Sequence, residues 1–250
     1  SAVFAGLGFG AINVVMNVTI SNLFSHKRAS TLNLLNVFFG LGAIIAPAVA
    51  GLSLRLASSA LPAIRLGAGL ELALLPFFFW LFLSPAPSAD HASTQRNNRN
   101  LLQSPALWLL GILLLLYVGS ENGAGGWVST YMQLTTSLAA TSAALAASGF
   151  WLAYTAGRMA AAWLGTRWSV RLLLTTSLGI AFMGGMVIFA STGNAAISIL
   201  GFLLLGFGFG PVYPTTLAVI TSTFSQSPGT AASLAVAMGS TGGMLIPWGI

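Results

Sequence analysis

Long apolar runs alternate with short polar breaks along nearly the whole chain. Eight runs stand out, at residues 2–24, 29–54, 60–84, 105–132, 138–164, 169–191, 194–223 and 228–250. Each meets or approaches the ~20 residues that a helix needs to cross ~30 Å of hydrocarbon at ~1.5 Å per residue. The pattern predicts an all-α integral membrane protein with about eight transmembrane helices. Most connections are short. The exception is 85–104, PAPSADHASTQRNNRNLLQS, which is polar, contains Pro85 and Pro87, and reads as a linker between two bundles.

Composition strengthens this reading. The 250 residues are 56% hydrophobic and 5% charged, with a mean hydropathy of +0.89, whereas soluble domains carry about 25% charged residues. The net charge of +6 does not mark a nucleic-acid surface, because the basic residues lie singly or in pairs at segment ends. There they report topology. Lys27 and Arg28, Arg96 and Arg99, and Arg167 and Arg171 alternate onto one side, predicted to be the cytoplasm. This puts 25–28, 85–104 and 165–168 inside and the uncharged connections 133–137 and 192–193 outside; Arg55 and Arg65 depart from the rule. The chain has no cysteine, hence no disulfide framework and no thiolate metal site, and His26 and His91 fall in polar connections. It opens and closes inside apolar runs without an initiator Met, as expected of an internal piece of a longer protein.

Shifting the chain by 200 residues aligns GLGFGAINVVMNVTISNLFS (Gly6–Ser25) with GFGFGPVYPTTLAVITSTFS (Gly206–Ser225) without a gap. The register continues through Leu34 with Leu234, Gly42 with Gly242 and Pro47 with Pro247. A parallel repeat of this length is the two-half plan of large secondary transporters. It predicts that 1–84 holds the last three helices of an N-terminal bundle and 105–250 the first five of a C-terminal bundle, with 85–104 as cytoplasmic linker.

At these motifs the chain resembles the major facilitator superfamily, and within it the fucose permease-like and sodium-dependent glucose transporter-like sugar branch. The glycine run ending at Asn17 resembles the family's fourth helix. NLLNVFFGLGAIIAP (Asn33–Pro47) resembles the fifth, and YVGSENGAGGWVSTY (Tyr117–Tyr131) the seventh. AGRMAAAWLGTRWS (Ala156–Ser169) is similar to the end of the eighth, and GFGFGPVYPTTLA to the tenth. The resemblance implies two six-helix bundles in the full protein, with the first, fourth and seventh segments lining a central cavity. Two departures are visible: Asn13 stands where fucose permeases carry a glutamate, and Asn36 where close relatives often show histidine.

Glu121 is one of three acidic residues in the chain and lies inside a spanning segment. A carboxylate at that depth costs roughly 2.5–3.5 kcal/mol on insertion scales, so it is read as functional: a substrate acceptor or the coupling group for H⁺ or Na⁺. Glycines around it weaken the helix there. Asn13 and Asn17, four residues apart, share one helical face and offer donors and acceptors to sugar hydroxyls, or hydrogen bonds between helices. Asn122, Asn33 and Asn36 carry the same two readings. Trp127 and Tyr131 suit a sugar ring or an interfacial aromatic belt. Pro211 and Pro214 should bend the seventh segment, with Tyr213 between them facing substrate. Arg158 is expected to snorkel or to cap helix carbonyls, with a gating contact as the alternative. Glu71 is expected to pair within the bundle.

Enzyme signatures fail. Gly6 to Ala11 loosely fits a dinucleotide fingerprint but follows no strand, and there is no nucleophile elbow, P-loop or HExxH. The glycines read as small-residue helix packing, Gly6 with Gly10 and Gly206 with Gly210. The sequence therefore predicts a non-enzymatic, cofactor-free secondary transporter. It would be a monomer in the plasma or inner membrane, moving a sugar or similar polar solute by alternating access, with lipid and small-molecule partners and no nucleic acid. A drug or metabolite efflux carrier of the same fold is the alternative, and a non-transporting membrane sensor the reserve.

Overall fold

A computed structural model describes residues 2–59, 61–83 and 101–249, with no strand among them. The helices are α1 (Ala2–Leu23), α2 (Arg28–Ala57), α3 (Leu61–Leu83), α4 (Pro105–Thr136), α5 (Ala140–Leu164), α6 (Val170–Ala190), α7 (Ala195–Phe209), α8 (Val212–Thr223) and α9 (Pro228–Leu245). Short 3₁₀ turns follow α1 and α9, at Ser25–Lys27 and Ile246–Trp248. The linker residues 84–100 lie outside the described part. Four described stretches are long and apolar enough to cross a membrane: Pro105–Thr136, Val170–Ala190, Ala195–Thr223 and Pro228–Trp248. By length alone α1, α2, α3 and α5, at 22, 30, 23 and 25 residues, reach the same span.

The segment expected as one bent helix at 194–223 is two helices, α7 and α8, meeting at Gly210–Pro211. Pro211 and Pro214 have no N–H, so the carbonyls four residues earlier, on Phe207 and Gly210, lose their intrahelical donors. The chain turns sharply into α7 because Thr192 and Gly193 take φ of 47° and 85°. Asn194 then caps α7, accepting from the amides of Ala196 and Ile197 at 3.0 and 3.1 Å.

The chain divides into two compact units. The smaller, residues 41–96, holds the rest of α2 and all of α3. Ser58, at φ 50°, turns the chain between them, and Ser53 Oγ donates to the Ser59 carbonyl at 2.8 Å. Glu71 is exposed on α3, and no hydrogen bond joins it to another described residue.

The larger unit, residues 1–40 with 97–250, packs α4 on α9, α6 on α7, and α5 on α4 and α7. Its tight contacts are made by glycine. A Cβ on Gly242 would run into the Leu115 carbonyl, one on Gly157 into the Phe207 carbonyl, and one on Gly208 into the backbone of Ala181. Gly206 and Gly210 lie against Phe150 and Tyr154 on α5, so the repeated glycine spacing seats one helix backbone against another. The matching expectation for α1 differs: Gly10 has open space around it, and Gly6 lies among residues whose surroundings are not described. Outer faces carry exposed Leu109, Leu116, Phe182, Met183, Met186 and Phe189. Apolar surface this extensive requires lipid rather than water around it.

The 200-residue repeat is visible as contacts between equivalent positions. Ser21 Oγ meets Thr221 Oγ1 at 2.5 Å, and the Tyr213 hydroxyl donates to Asn13 Oδ1 at 3.0 Å. Residues that touch their own equivalents lie beside the axis relating the two repeats, which therefore runs between α1 and α8.

These contacts predict the outcome of glycine substitution. Gly242→Val should destabilise the purified protein by about 1–3 kcal/mol or more in thermal unfolding. Gly179→Ala, where a Cβ meets nothing within 4 Å, should be neutral or gain about 0.5–1 kcal/mol.

Candidate functional site

A cavity of about 360 Å³ opens in the larger unit. Each helix around it contributes residues at helical spacing: Gly10 and Asn13 from α1, Asn36 and Phe39 from α2, Tyr154 and Arg158 from α5, and Val236, Ser240, Gly243 and Met244 from α9. Val118, Glu121 and Asn122 come from α4, and Tyr213 from α8. Residues three, four or seven apart fall on one helical face, so each helix presents a single stripe to the space.

Glu121 and Arg158 sit at the centre of its polar wall without touching directly. The Tyr154 hydroxyl stands between them. It donates to Glu121 Oε1 at 2.6 Å and accepts from Arg158 Nη2. Arg158 also donates from Nη1 to the Asn36 carbonyl at 2.8 Å and from Nε to the Gly210 carbonyl at 3.0 Å. The guanidinium carbon lies 4.3 Å from the Tyr154 ring centre and 5.5 Å from that of Phe39, within range of cation–π attraction. Arg158 is 2% exposed, so it does not snorkel. Its charge is met by carbonyls, a phenol and, through that phenol, a carboxylate. Tyr117 closes the group, donating to the Phe209 carbonyl at 2.9 Å with its oxygen 3.3 Å from that of Tyr154.

An amide cluster faces this group. Asn17 Nδ2 donates to Asn13 Oδ1 at 3.0 Å and to the Asn13 carbonyl at 2.8 Å. Asn36 Nδ2 reaches Asn17 Oδ1 at 3.4 Å and the Leu32 carbonyl at 2.9 Å. Asn17 is buried behind Asn13 rather than lining the space. Gly243 leaves room for the Asn122 amide, since a Cβ there would sit 2.6 Å from Asn122 Nδ2. Asn33 lies elsewhere, joining α2 to α8 through Thr215 Oγ1 at 3.1 Å.

The fold thus gathers Glu121, Asn122, Asn13, Asn36, Tyr213 and Arg158 around one cavity. It does not bring Trp127 and Tyr131 there. At ~100° per residue, Trp127 is turned about 120° and Tyr131 about 80° from Glu121 on α4, both to the side opposite the cavity-lining Asn122, and Tyr131 lies ~15 Å further along. Trp127 is 44% exposed. Tyr131 packs edge-on against Phe202, with its hydroxyl 3.3 Å from Ser191 Oγ. Pro211 and Pro214 lie at the helix break. Tyr154 was not singled out from the sequence, although its i, i+4 spacing to the intramembrane Arg158 was there to read.

Among known proteins, the family model described as Major Facilitator Superfamily matches residues 1–247. The chain belongs to the Major Facilitator Superfamily. This places it in a family of multi-pass membrane proteins and agrees with the motif resemblance. A crystal structure of the E. coli fucose:proton symporter superposes with a TM-score of 0.81 at 18% identity, over 96% of this chain and 65% of that one. At that identity the likeness is one of superfamily fold. The Saccharomyces cerevisiae protein named Bypass of stop codon protein 6 is 25% identical over 158 residues, 59% of this chain and 32% of the yeast protein. The chain spans about a third of the yeast relative's length and about two thirds of the symporter's.

The network predicts unequal costs for removing hydroxyls. Tyr154→Phe strips a partner from both Arg158 and Glu121 and should cost about 1–3 kcal/mol in thermal unfolding, against about 0.5–1.5 for Tyr117→Phe. Trp127→Ala should leave solute binding at the cavity unchanged, as read by ligand-induced shifts in melting temperature.

Proposed function

We propose that this chain is part of a secondary active transporter that moves a sugar or similar polar small molecule by alternating access, coupled to H⁺ or Na⁺. The observation that carries the reading is the cavity beside the repeat axis, walled by helices of both repeats. Its volume of about 360 Å³ is at the lower end of the ~300–1,000 Å³ usual for small-molecule sites. Its walls are divided as a sugar requires. Phe39, Val118, Val236 and Met244 provide an apolar surface for a ring face, while Asn13, Asn36, Asn122, Ser240 and Tyr213 offer donors and acceptors at its edge. Glu121 is the acid of this wall and takes the coupling role. The likeness in fold to the E. coli fucose:proton symporter supports both the solute class and the ion.

In this reading residues 1–84 and 105–250 contribute helices to two bundles, 85–104 links them on the cytoplasmic side, and the protein works as a monomer in the plasma or inner membrane. The bundles rock about the cavity so that it opens to one side at a time. Pro211 and Pro214, at the α7–α8 break, provide a place for that bending.

The deciding measurement is uptake of a panel of labelled sugars by the full-length protein in vesicles, under imposed H⁺ or Na⁺ gradients. One gradient should raise the initial rate for at least one sugar, and Glu121→Gln should abolish that dependence. Unchanged cation dependence in Glu121→Gln removes the coupling role from this residue. Binding without flux points instead to a sensor.

A further inference from the structure

Pro214 leaves the Gly210 carbonyl without an intrahelical donor, and Arg158 Nε supplies one at 3.0 Å. The approach is possible because residue 210 is glycine. A Cβ there would collide with the Tyr154 carbonyl and lie 3.2 Å from the Arg158 amide nitrogen. A second nitrogen of the same guanidinium, Nη2, holds the Tyr154 hydroxyl, which donates onward to Glu121 Oε1 at 2.6 Å. A guanidinium is planar and its donors form a rigid fork, so its contacts cannot be adjusted one at a time. A change of angle at Gly210 moves the fork and with it the hydroxyl aimed at Glu121. A solute that draws Glu121 away from Tyr154 changes what the fork holds at Gly210.

We propose that Arg158 is a positioning residue tying the α7–α8 break to the cavity carboxylate, so that occupation of Glu121 and bending at Gly210 are two ends of one linkage. Its role in transport rests on the function proposed above; the linkage itself does not. A lysine, a single compact donor group, could not hold both ends.

Two measurements on the full-length protein test this. The first is a set of melting temperatures, independent of transport. Pro214→Ala provides the Gly210 carbonyl with a backbone donor, so it should recover most of the loss caused by Arg158→Gln. The losses from Arg158→Gln and Glu121→Ala should be strongly non-additive. Absence of recovery, or simple additivity, overturns the linkage. The second is uptake rate against solute concentration. Arg158→Lys and Arg158→Gln should each lower the maximal rate about tenfold or more while KM moves less than about threefold. A full rate in Arg158→Lys overturns the positioning role. If the unmodified protein carries no solute under any gradient, the transport reading fails, and the melting temperatures alone decide whether Arg158 joins the two ends.

Discussion

Everything around the cavity depends on how one permanently charged side chain is satisfied away from water. A buried guanidinium without partners is strongly destabilising. Arg158 meets the demand with acceptors from three other places: a carbonyl freed by a proline on α8, a carbonyl on α2 and a phenol on its own helix. The first of these would itself be a buried orphan without the arginine. Two costs, a helix break in an apolar setting and a charge in an apolar setting, therefore offset one another. This explains how α7 and α8 can be interrupted at Gly210–Pro211 inside a segment that still counts as one span.

Glycine makes the geometry possible. The guanidinium reaches the break because α5 and α7 touch backbone to backbone at Gly157, Gly206 and Gly210. Between helices in lipid there is little hydrophobic gain from association, so close packing and hydrogen bonds must supply the attraction. Helix α5 thus carries both Tyr154 and Arg158 of the polar site and one side of the close-packed seam. A bulky residue in the seam would disturb the cavity from behind.

Much of this was legible in the sequence, for identifiable reasons. Apolar length marks spanning helices because the bilayer imposes one thickness on all of them. The prolines at 211 and 214 marked the break because a missing N–H cannot be disguised by context. Glu121 stood out because an acid at that depth is costly. What was not legible depended on rotation and partners. Trp127 and Tyr131 were grouped with Glu121 by proximity along the chain, although their angular offsets on a 3.6-residue helix already separated them. Gly10 and Gly210 occupy equivalent places in the repeat, yet Gly210 meets the backbone of α5 while Gly10 has open space around it. Tyr154 looked like any aromatic in an apolar helix until its neighbour one turn on was recognised as a charge in need of a partner.

The contacts at 21/221 and 13/213 carry a consequence for how such a site comes to be asymmetric. While two halves are identical, a residue beside their axis faces a copy of itself and must be self-complementary. The hydroxyl pair of Ser21 and Thr221 still meets that condition, since either can donate. Asn13 and Tyr213 do not share it: the phenol gives and the amide receives. Once the copies are joined in one chain, each can change without the other, and the cavity shows the result. Its carboxylate and its guanidinium both come from the second repeat, while the first offers amides and a phenyl ring. Joining the halves lets each side of the axis vary alone, and among the described residues the two walls of the cavity now differ in charge as well as in shape.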